Sequence, residues 1–519
     1  MPADTSALPD DIAWAEPRPS TDPDAVTRLS GGAVVRHLPA ADARPRRRLP
    51  HERLGLLLDA GSFYELQADR HSRHGARPPR GRGDGVVVGV GTIHGSQVCV
   101  FVQDPQVEGG TLGEAHADKI RWITDLGVRI GAPVIGLYDG GGARIQEGVR
   151  ALDACGRIFQ QFVRSRGSVP QISVILGPCA GAAAYAPALT DFVFMVRDTG
   201  MMFLTGPRVV ETVTSERLDG NELGGTGIHG PLTGLATFVH DDEESSLNDV
   251  RYLVSLLPND FQSSPQRLAT DDDAERTCPT LPDLVPADPR QPYDMVSVIE
   301  EVVDHDTFLE THCEWGRSMV CGLARLTGRV VGIVANQPIV RAGAIDLAAA
   351  EKAAEFVRTC DRFGIPIVTL VDVPGFMPGS DQEHGGVIRR GATLLDAYCS
   401  ATVPRVQVIL RKAFGGGYIV MDATSLGCDL SFAWPSVETG VMGAQSAVEI
   451  INRRELSRDP GSRARLEAEF LAAQLAQGTP TETGVVHDLI DPVETRNALA
   501  SALTILASKD ARTCTRGRP

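Results

Sequence analysis

The run RKAFGGGYIVM, Arg411 to Met421, interrupts an apolar stretch with three consecutive glycines. No Ser–His pair, no paired carboxylates and no metal-ligand spacing stand beside them, so what the run offers to chemistry is its main chain. It follows an apolar, strand-like segment and precedes a helical run. Its N–H groups therefore fall at a helix start, where they have no partner within the helix and share the positive end of the peptide dipoles. Glycine lets a ligand approach that backbone closely. Paired N–H groups of this kind hold a developing oxyanion, each donor being worth roughly 3 kcal/mol. A tight turn with no chemistry is the alternative, and the run by itself leaves both open.

Three further loops carry glycine in the same way: YDGGGARIQEG (Tyr138 to Gly148), GPCAGAAAYAPALTD (Gly177 to Asp191) and VDVPGFMPGSDQEHGG (Val371 to Gly386). Other polar groups fit chemistry less well. His240-Asp241-Asp242 and Asp271-Asp272-Asp273 read as solvated turns, and Asp381-Gln382-Glu383-His384 reads as part of a glycine-rich loop. The 12 histidines show neither HxxxH nor HxH spacing, so no metal is expected. GGGARIQEG lacks the lysine of a phosphate loop and the GxGxxG spacing of a dinucleotide fingerprint.

The elements that must position these loops repeat. ADKIRWITDLGVRIGAPVIGLYD (Ala117 to Asp139) aligns without gaps with AEKAAEFVRTCDRFGIPIVTLVD (Ala350 to Asp372), pairing Lys119 with Lys352 and Asp139 with Asp372 at a separation of 233. LLDAGSFYEL matches VVDHDTFLET, pairing Asp59 with Asp304 and Phe63 with Phe308 at 245. Gly181 is paired with Gly416 at 235, and Asp191 with Asp429 at 238. Four blocks in one order make the chain two copies of one fold. In each copy, β-branched runs alternate with helical periods that end in glycine and proline, which predicts α/β domains with ligand loops at strand ends. A Pro- and Asp-rich stretch from Pro258 to Asp294 separates the copies. The expected division is a disordered tail at 1–26, a first domain at 27–270, a linker at 271–289 and a second domain at 290–519.

Composition narrows the function. A formal charge of −16 argues against broad binding to nucleic acid or an anionic membrane, although RHSRHGARPPRGRG (Arg70 to Gly83) gathers five arginines. Ten cysteines occur singly and none forms CxxC. No secretory signal or membrane span is legible, so a cytoplasmic protein is expected.

At the glycine loops the sequence closely resembles the carboxyltransferase (β) subunit of biotin-dependent acyl-CoA carboxylases, of the actinobacterial propionyl-CoA and acetyl-CoA carboxylase type. The likeness is carried by GEAHADKI, GGGARIQEGV, GPCAGAAAYAPALTDFVFMV, FLTGPRVVETVT, DVPGFMPGSDQEHGGVIRRGA, RKAFGGGYIVM and AWPSVETGVMGAQSAVEI. It implies two tandem crotonase-like (ClpP/crotonase) domains of ββα spiral units, an α/β fold. It also implies a homo-hexamer built as a dimer of trimers, and a separate biotinylated α subunit that brings carboxybiotin to an acyl-CoA thioester. One oxyanion pair then falls on Gly181 and Ala182 and holds the thioester oxygen. The other falls on Gly416 and Gly417 and holds the biotin urea oxygen, with Gly375 beside it. Gly141, Gly142, Ala143, Arg144, Phe376, Tyr418 and Ile419 line the substrates. In this family no side-chain base is needed. Isoleucine at 419 stands where propionyl-preferring members carry aspartate, which tilts the expectation toward acetyl-CoA acceptance or broad specificity. Relatives that run the same half-reaction as a decarboxylase or a transcarboxylase, and a non-catalytic assembly subunit, are the alternatives. A hydratase would need a Glu pair over the thioester, for which Glu147 and Glu222 are the nearby candidates.

Overall fold

The alternation of β-branched runs and helical periods resolves into two eight-stranded sheets in the computed structural model, which describes residues 47–72, 83–273, 275–475 and 478–509. The tail at 1–26 and most of the arginine-rich stretch lie outside the described residues. The first sheet contains β1 (Tyr64–Leu66), β2 (Val86–Ile93), β3 (Ser96–Gln103), β4 (Val134–Gly140), β5 (Gln171–Ala180), β6 (Phe192–Val196), β7 (Met201–Phe203) and β8 (Phe238–His240). The second contains β9 (Leu309–Thr311), β10 (Met319–Leu326), β11 (Arg329–Asn336), β12 (Ile367–Val373), β13 (Arg405–Phe414), β14 (Leu430–Ala433), β15 (Glu438–Gly440) and β16 (Asp488–Leu489).

Both sheets have the same order. The first runs β1-β2-β3-β4-β5-β6-β8 with β7 beside β5, and the second runs β9-β10-β11-β12-β13-β14-β16 with β15 beside β13. In each, the first three strands are antiparallel and the rest parallel. Parallel neighbours require crossovers, which helices supply. These are α1 (Glu114–Ile130) and α2 (Val149–Ser165) in the first half, and α3 (Leu347–Arg362) and α4 (Val387–Ser400) in the second. Gly131 ends α1 in the left-handed conformation (φ 64°), as glycine at a helix C-terminus does.

The matched residues of the repeat do the same work twice. Lys119 and Lys352 are buried, and each ammonium donates to two carbonyls, Gly83 and Val86 in one half and His312 and Met319 in the other. Asp59 accepts from the amides of His94 and Gly95 in the β2–β3 turn, and Asp304 from those of Thr327 and Gly328 in the β10–β11 turn. These bonds hold the Asp59 carboxyl well below the usual range, the Gly95 amide contributing most. Asp191 and Asp429 each accept the first amide of β5 or β13, from Gln171 and Arg405, at 2.9 Å.

Strand register corrects one pairing. Cys179 stands opposite Gly140 and Ala413 opposite Val373, so β5 and β13 correspond at 234 rather than 235. Gly181 is therefore the counterpart of Gly415, both at positive φ (61° and 57°), and Ala182 that of Gly416. The extra glycine in the second half allows a one-residue slip that letter matching cannot detect.

Two of the polar stretches lie in largely exposed bends as expected, with added partners, and the third is helical rather than loop. Asp242 caps the helix Glu243–Leu256, accepting from the amides of Glu244 and Ser245. Asp272 is buried against Arg276 (2.6 Å) and Arg496 (3.4 Å). Asp381 to His384 lie in a short helix, Ser380–His384. Nor is the stretch between the copies a bare spacer: it forms a helical turn, Leu281–Leu284, and buries Cys278, Leu281, Val285 and Tyr293 in the core under the second sheet. Its apolar residues follow neither helical nor strand periodicity, so pattern reading passes over them.

Candidate active site

In each half, two loops leave adjacent parallel strands at their C-terminal ends and meet. β4 breaks register between Tyr138 and Gly140, and β12 between Val371 and Val373, which turns the loops that follow out of the sheet. Each loop is then stitched to a preceding segment. Leu112 N–H donates to Gly142 O (3.0 Å) and Arg144 N–H to Leu112 O (2.8 Å). Ile345 N–H donates to Gly375 O (3.1 Å) and Met377 N–H to Ile345 O (2.9 Å).

The neighbouring strands end in helical turns, Gly181–Ala184 after β5 and Gly415–Val420 after β13. Their leading amides have no partner within so short a turn. Among the described residues, no turn, loop or cap bond is donated by the backbone N–H of Gly181, Ala182, Gly416 or Gly417. The two loops of each half touch through glycine. A methyl on Gly142 would lie 2.9 Å from Ala180 O, and one on Gly417 would lie 2.8 Å from the Gly375 α-carbon. A methyl on Gly416 would meet only the Phe376 ring, at 3.7 Å, so a ligand-sized approach stays open there. The geometry thus offers two turns whose leading amides have no partner within the turn, each backed by a second glycine loop, which suits a neutral or developing-negative oxygen.

The expected site residues fall into three groups. Gly142 lies beside Gly181, while Gly141 faces Thr111 and Ala143 bridges Leu112; Gly375 and Phe376 lie beside Gly417 and Gly416. Tyr418 and Ile419 follow on the second turn, with Tyr418 Oη donating to Val485 O (3.3 Å) and Ile419 exposed. Arg144 differs: its guanidinium is 5% exposed and committed to Asp84 (2.9 Å), Glu147 (2.8 Å) and the Thr111 carbonyl (3.0 Å). It shapes the first loop from within. Nearby His116 is fully buried and pulled down to about 3, by burial first and then by the Arg144 cation.

Glu147 and Glu222 do not converge. Glu147 is buried against Arg144 and caps α1 through the Glu114 amide (2.7 Å), while Glu222 closes a capping box with Asp219. No carboxylate pair of the hydratase kind forms from them. Cys179, in the strand before the first turn, is buried and raised to about 12, which makes it a packing residue.

Reading by motif missed what lies under the loops. Asp139 and Asp372, fully buried at the two bulges, are held by Arg53 (2.9 Å) and Arg411 (3.0 Å). Their recurrence at a separation of 233 is a signal; their partners, on unrelated elements, give none. Also missed was an apolar rim around each turn: Ile145 (90% exposed), Val149, Tyr185 and Leu204 at the first, Ile388 and Val441 (80% exposed) at the second.

Comparison with known proteins places the chain in a family. A carboxyl transferase domain model matches residues 44–518. The chain is 48% identical over 464 residues to the propionyl-CoA carboxylase carboxyltransferase subunit of Haloferax mediterranei, covering 88% of this chain and 90% of that one. It is 45% identical over 483 residues to the biotin-dependent acetyl-/propionyl-coenzyme A carboxylase beta5 subunit of Mycobacterium tuberculosis, covering 89% and 87%. Among solved structures it resembles transcarboxylase 12S with hydrolysed methylmalonyl-coenzyme A bound, described as a hexamer assembly, at TM-score 0.85 and 41% identity over 91% of each chain. By fold, loop geometry and sequence alike, the chain belongs to the carboxyl transferase domain family, with two tandem crotonase-like halves.

Proposed function

We propose that the chain is the carboxyltransferase subunit of a cytoplasmic acyl-CoA carboxylase. It would move a carboxyl group from carboxybiotin, carried by a separate biotinylated subunit, to the α-carbon of acetyl-CoA or propionyl-CoA. The observation that carries this reading is the pair of glycine-led turns at equivalent strand ends of the two halves, each facing a second glycine loop. The first half, 27–270, takes the acyl-CoA and the second, 290–519, the carboxybiotin, with 271–289 between them.

Carboxybiotin supplies the activated carboxyl group. The chain's own part is electrostatic. The amides of Gly181 and Ala182 donate to the thioester oxygen as charge moves onto it from the α-carbon. Those of Gly416 and Gly417 would donate to the urea oxygen as it takes up the charge left when the carboxyl group departs as CO₂, and the urea so charged would accept the α-proton. Gly141, Gly142, Ala143 and Gly375 give the ligands room, and Phe376 and Tyr418 wall the second turn. No side chain of the chain serves as base. The bare rims at Ile145 and Val441 support a second copy covering both turns, as in a dimer of trimers, since exposed apolar patches mark contact surfaces.

The test is carboxyl transfer from methylmalonyl-CoA to free biotin, followed as propionyl-CoA released. Ala182→Pro and Gly416→Pro each delete one N–H, and each is expected to lower kcat about 10²–10³-fold. Native turnover by Gly416→Pro sinks the reading. Ile419→Asp is expected to raise the propionyl-to-acetyl ratio of kcat/KM about tenfold; an unchanged ratio removes Ile419 as the selector.

A further inference from the structure

Between the halves, Pro286 to Gln291 looks by composition like a spacer, yet two side chains of β13 hold its main chain. Arg411 Nη1 donates to the carbonyls of Pro286 (3.1 Å), Asp288 (3.0 Å) and Gln291 (2.9 Å). Its Nε donates to Asp372 Oδ2 (3.0 Å), and its guanidinium lies over the Tyr293 ring at 4.9 Å. Lys412 Nζ donates to Pro289 O (3.0 Å). Four of the six carbonyls in this short stretch thus point at one strand.

That strand ends in the second glycine turn. Arg411 stands four residues before Gly415, and Asp372 three residues before Gly375. One buried guanidinium therefore joins the linker to both strand ends from which the second pair of loops departs. Pro286 and Pro289 fix φ in the linker, so its carbonyls are presented with less conformational entropy to lose. A planar guanidinium fork holds its donors at fixed angles to one another and reaches Asp372 and the carbonyls from different nitrogens, whereas an ammonium offers all its donors from one rotating atom. Among the described residues of the first half, the counterpart of Arg411 in the register of β5 is Gly177, which has no side chain to fasten such a segment.

We infer that 286–291 is a strap which, fastened by Arg411, positions the second glycine turn, and that Arg411 is a positioning residue for the carboxybiotin side of the reaction. The functional part rests on the carboxyltransfer reading; the structural part does not. Two variants of the full chain test it. Arg411→Lys keeps a cation beside Asp372 but loses the fork. Two glycines inserted between Ala287 and Asp288 shift the carbonyls and leave Arg411 intact.

Hydrogen exchange should quicken at least tenfold at the amides of Tyr418 to Met421 in both variants, with those of Ala184 to Leu189 unchanged. In transfer from methylmalonyl-CoA to free biotin, kcat/KM for biotin should fall tenfold or more while KM for methylmalonyl-CoA stays within twofold. Unaltered exchange at Tyr418 to Met421 in the insertion variant overturns the strap, and so does equal quickening in both halves. Should Arg411→Lys not fold, the insertion variant decides alone. Should the unaltered chain transfer no carboxyl group, the functional reading falls, and exchange still judges the strap.

Discussion

Beneath the first and second glycine loops lies the same buried aspartate, but its cation arrives from different elements. Asp139 meets Arg53 of the helix Pro50–Leu57, which also holds Glu243 (2.7 Å). Residue 177, on the adjacent strand, has no room for a side chain, since a methyl there would lie 1.9 Å from Asp139 Oδ1. In the second half the matching helix, Met295–Val302, carries buried Val298 at the position of Arg53, and the matching strand carries Arg411. The two halves have exchanged which element is charged and which is small. The aspartate is common to both because it sits at the bulge, where its amide is taken by a side-chain carbonyl, Gln103 at 3.0 Å or Asn336 at 3.3 Å. The fold thus requires a compensated carboxylate at the point where each loop leaves its strand. It does not prescribe the source of the compensation.

The comparison breaks most visibly if either cation is removed. Arg411→Leu and Arg53→Leu each take the nearest cation from a buried carboxylate; Arg53→Leu is expected to cost about 3–5 kcal/mol in denaturant unfolding, and Arg411→Leu somewhat less, since Asp372 keeps Lys412 at 3.6 Å. The paired replacement Arg411→Leu with Asp372→Leu should recover most of that loss, because the uncompensated charge is gone. An Arg411→Leu chain with a native unfolding midpoint would end the equivalence. A smaller effect sharpens the small side of the exchange. Gly177→Ala should cost about 1–3 kcal/mol by pressing on Asp139. Gly156→Ala is the control: it lies on α2 with nothing within 4 Å of the added methyl and should stabilise by about 0.5–1 kcal/mol.

Much of this architecture could be read from the letters, because duplication prints the same constraint twice. Asp59 and Asp304, Lys119 and Lys352, and Asp191 and Asp429 could be matched by type and spacing, and each pair makes the same backbone contacts. The glycine loops were legible for a related reason: main-chain chemistry needs residues without side chains, and clustered glycines just past an apolar run are visible as letters. What stayed hidden depends on contacts between unlike elements. Arg53 and Arg411 hold equivalent aspartates from non-equivalent positions, so no alignment of the halves pairs them. The slip from Gly416 to Gly415 was hidden because three glycines in a row have no distinguishing letter. The burial of Cys278 and Leu281 was hidden because an irregular segment packs without a period.

The halves differ again just past their turns, and there the difference is one of pH. Between Gly181 and Thr190 the first half has no carboxylate. The second places Asp422, fully buried, directly after its turn and paired with Arg405, whose Nη2 also donates to Gly427 O (2.6 Å). Burial pushes the Asp422 carboxyl up to about 7, against the opposing pull of Arg405. A raised folded value means the folded chain binds this proton more tightly than the unfolded chain. The contribution to stability is therefore complete below the ordinary carboxylate range and is lost as pH climbs through about 7. The slope from one group is at most about 1.4 kcal/mol per pH unit. Asp422→Asn should lower overall stability, since Arg405 loses its carboxylate, yet flatten the decline between pH 5.5 and 8. Exchange at Tyr418 to Met421, corrected for intrinsic rates, should quicken over that range in the native chain and stay level in the variant. Ala184 to Leu189 should stay level in both. A native chain whose two turns loosen together on raising the pH would place the titration elsewhere, and the second turn would then be no more pH-sensitive than the first.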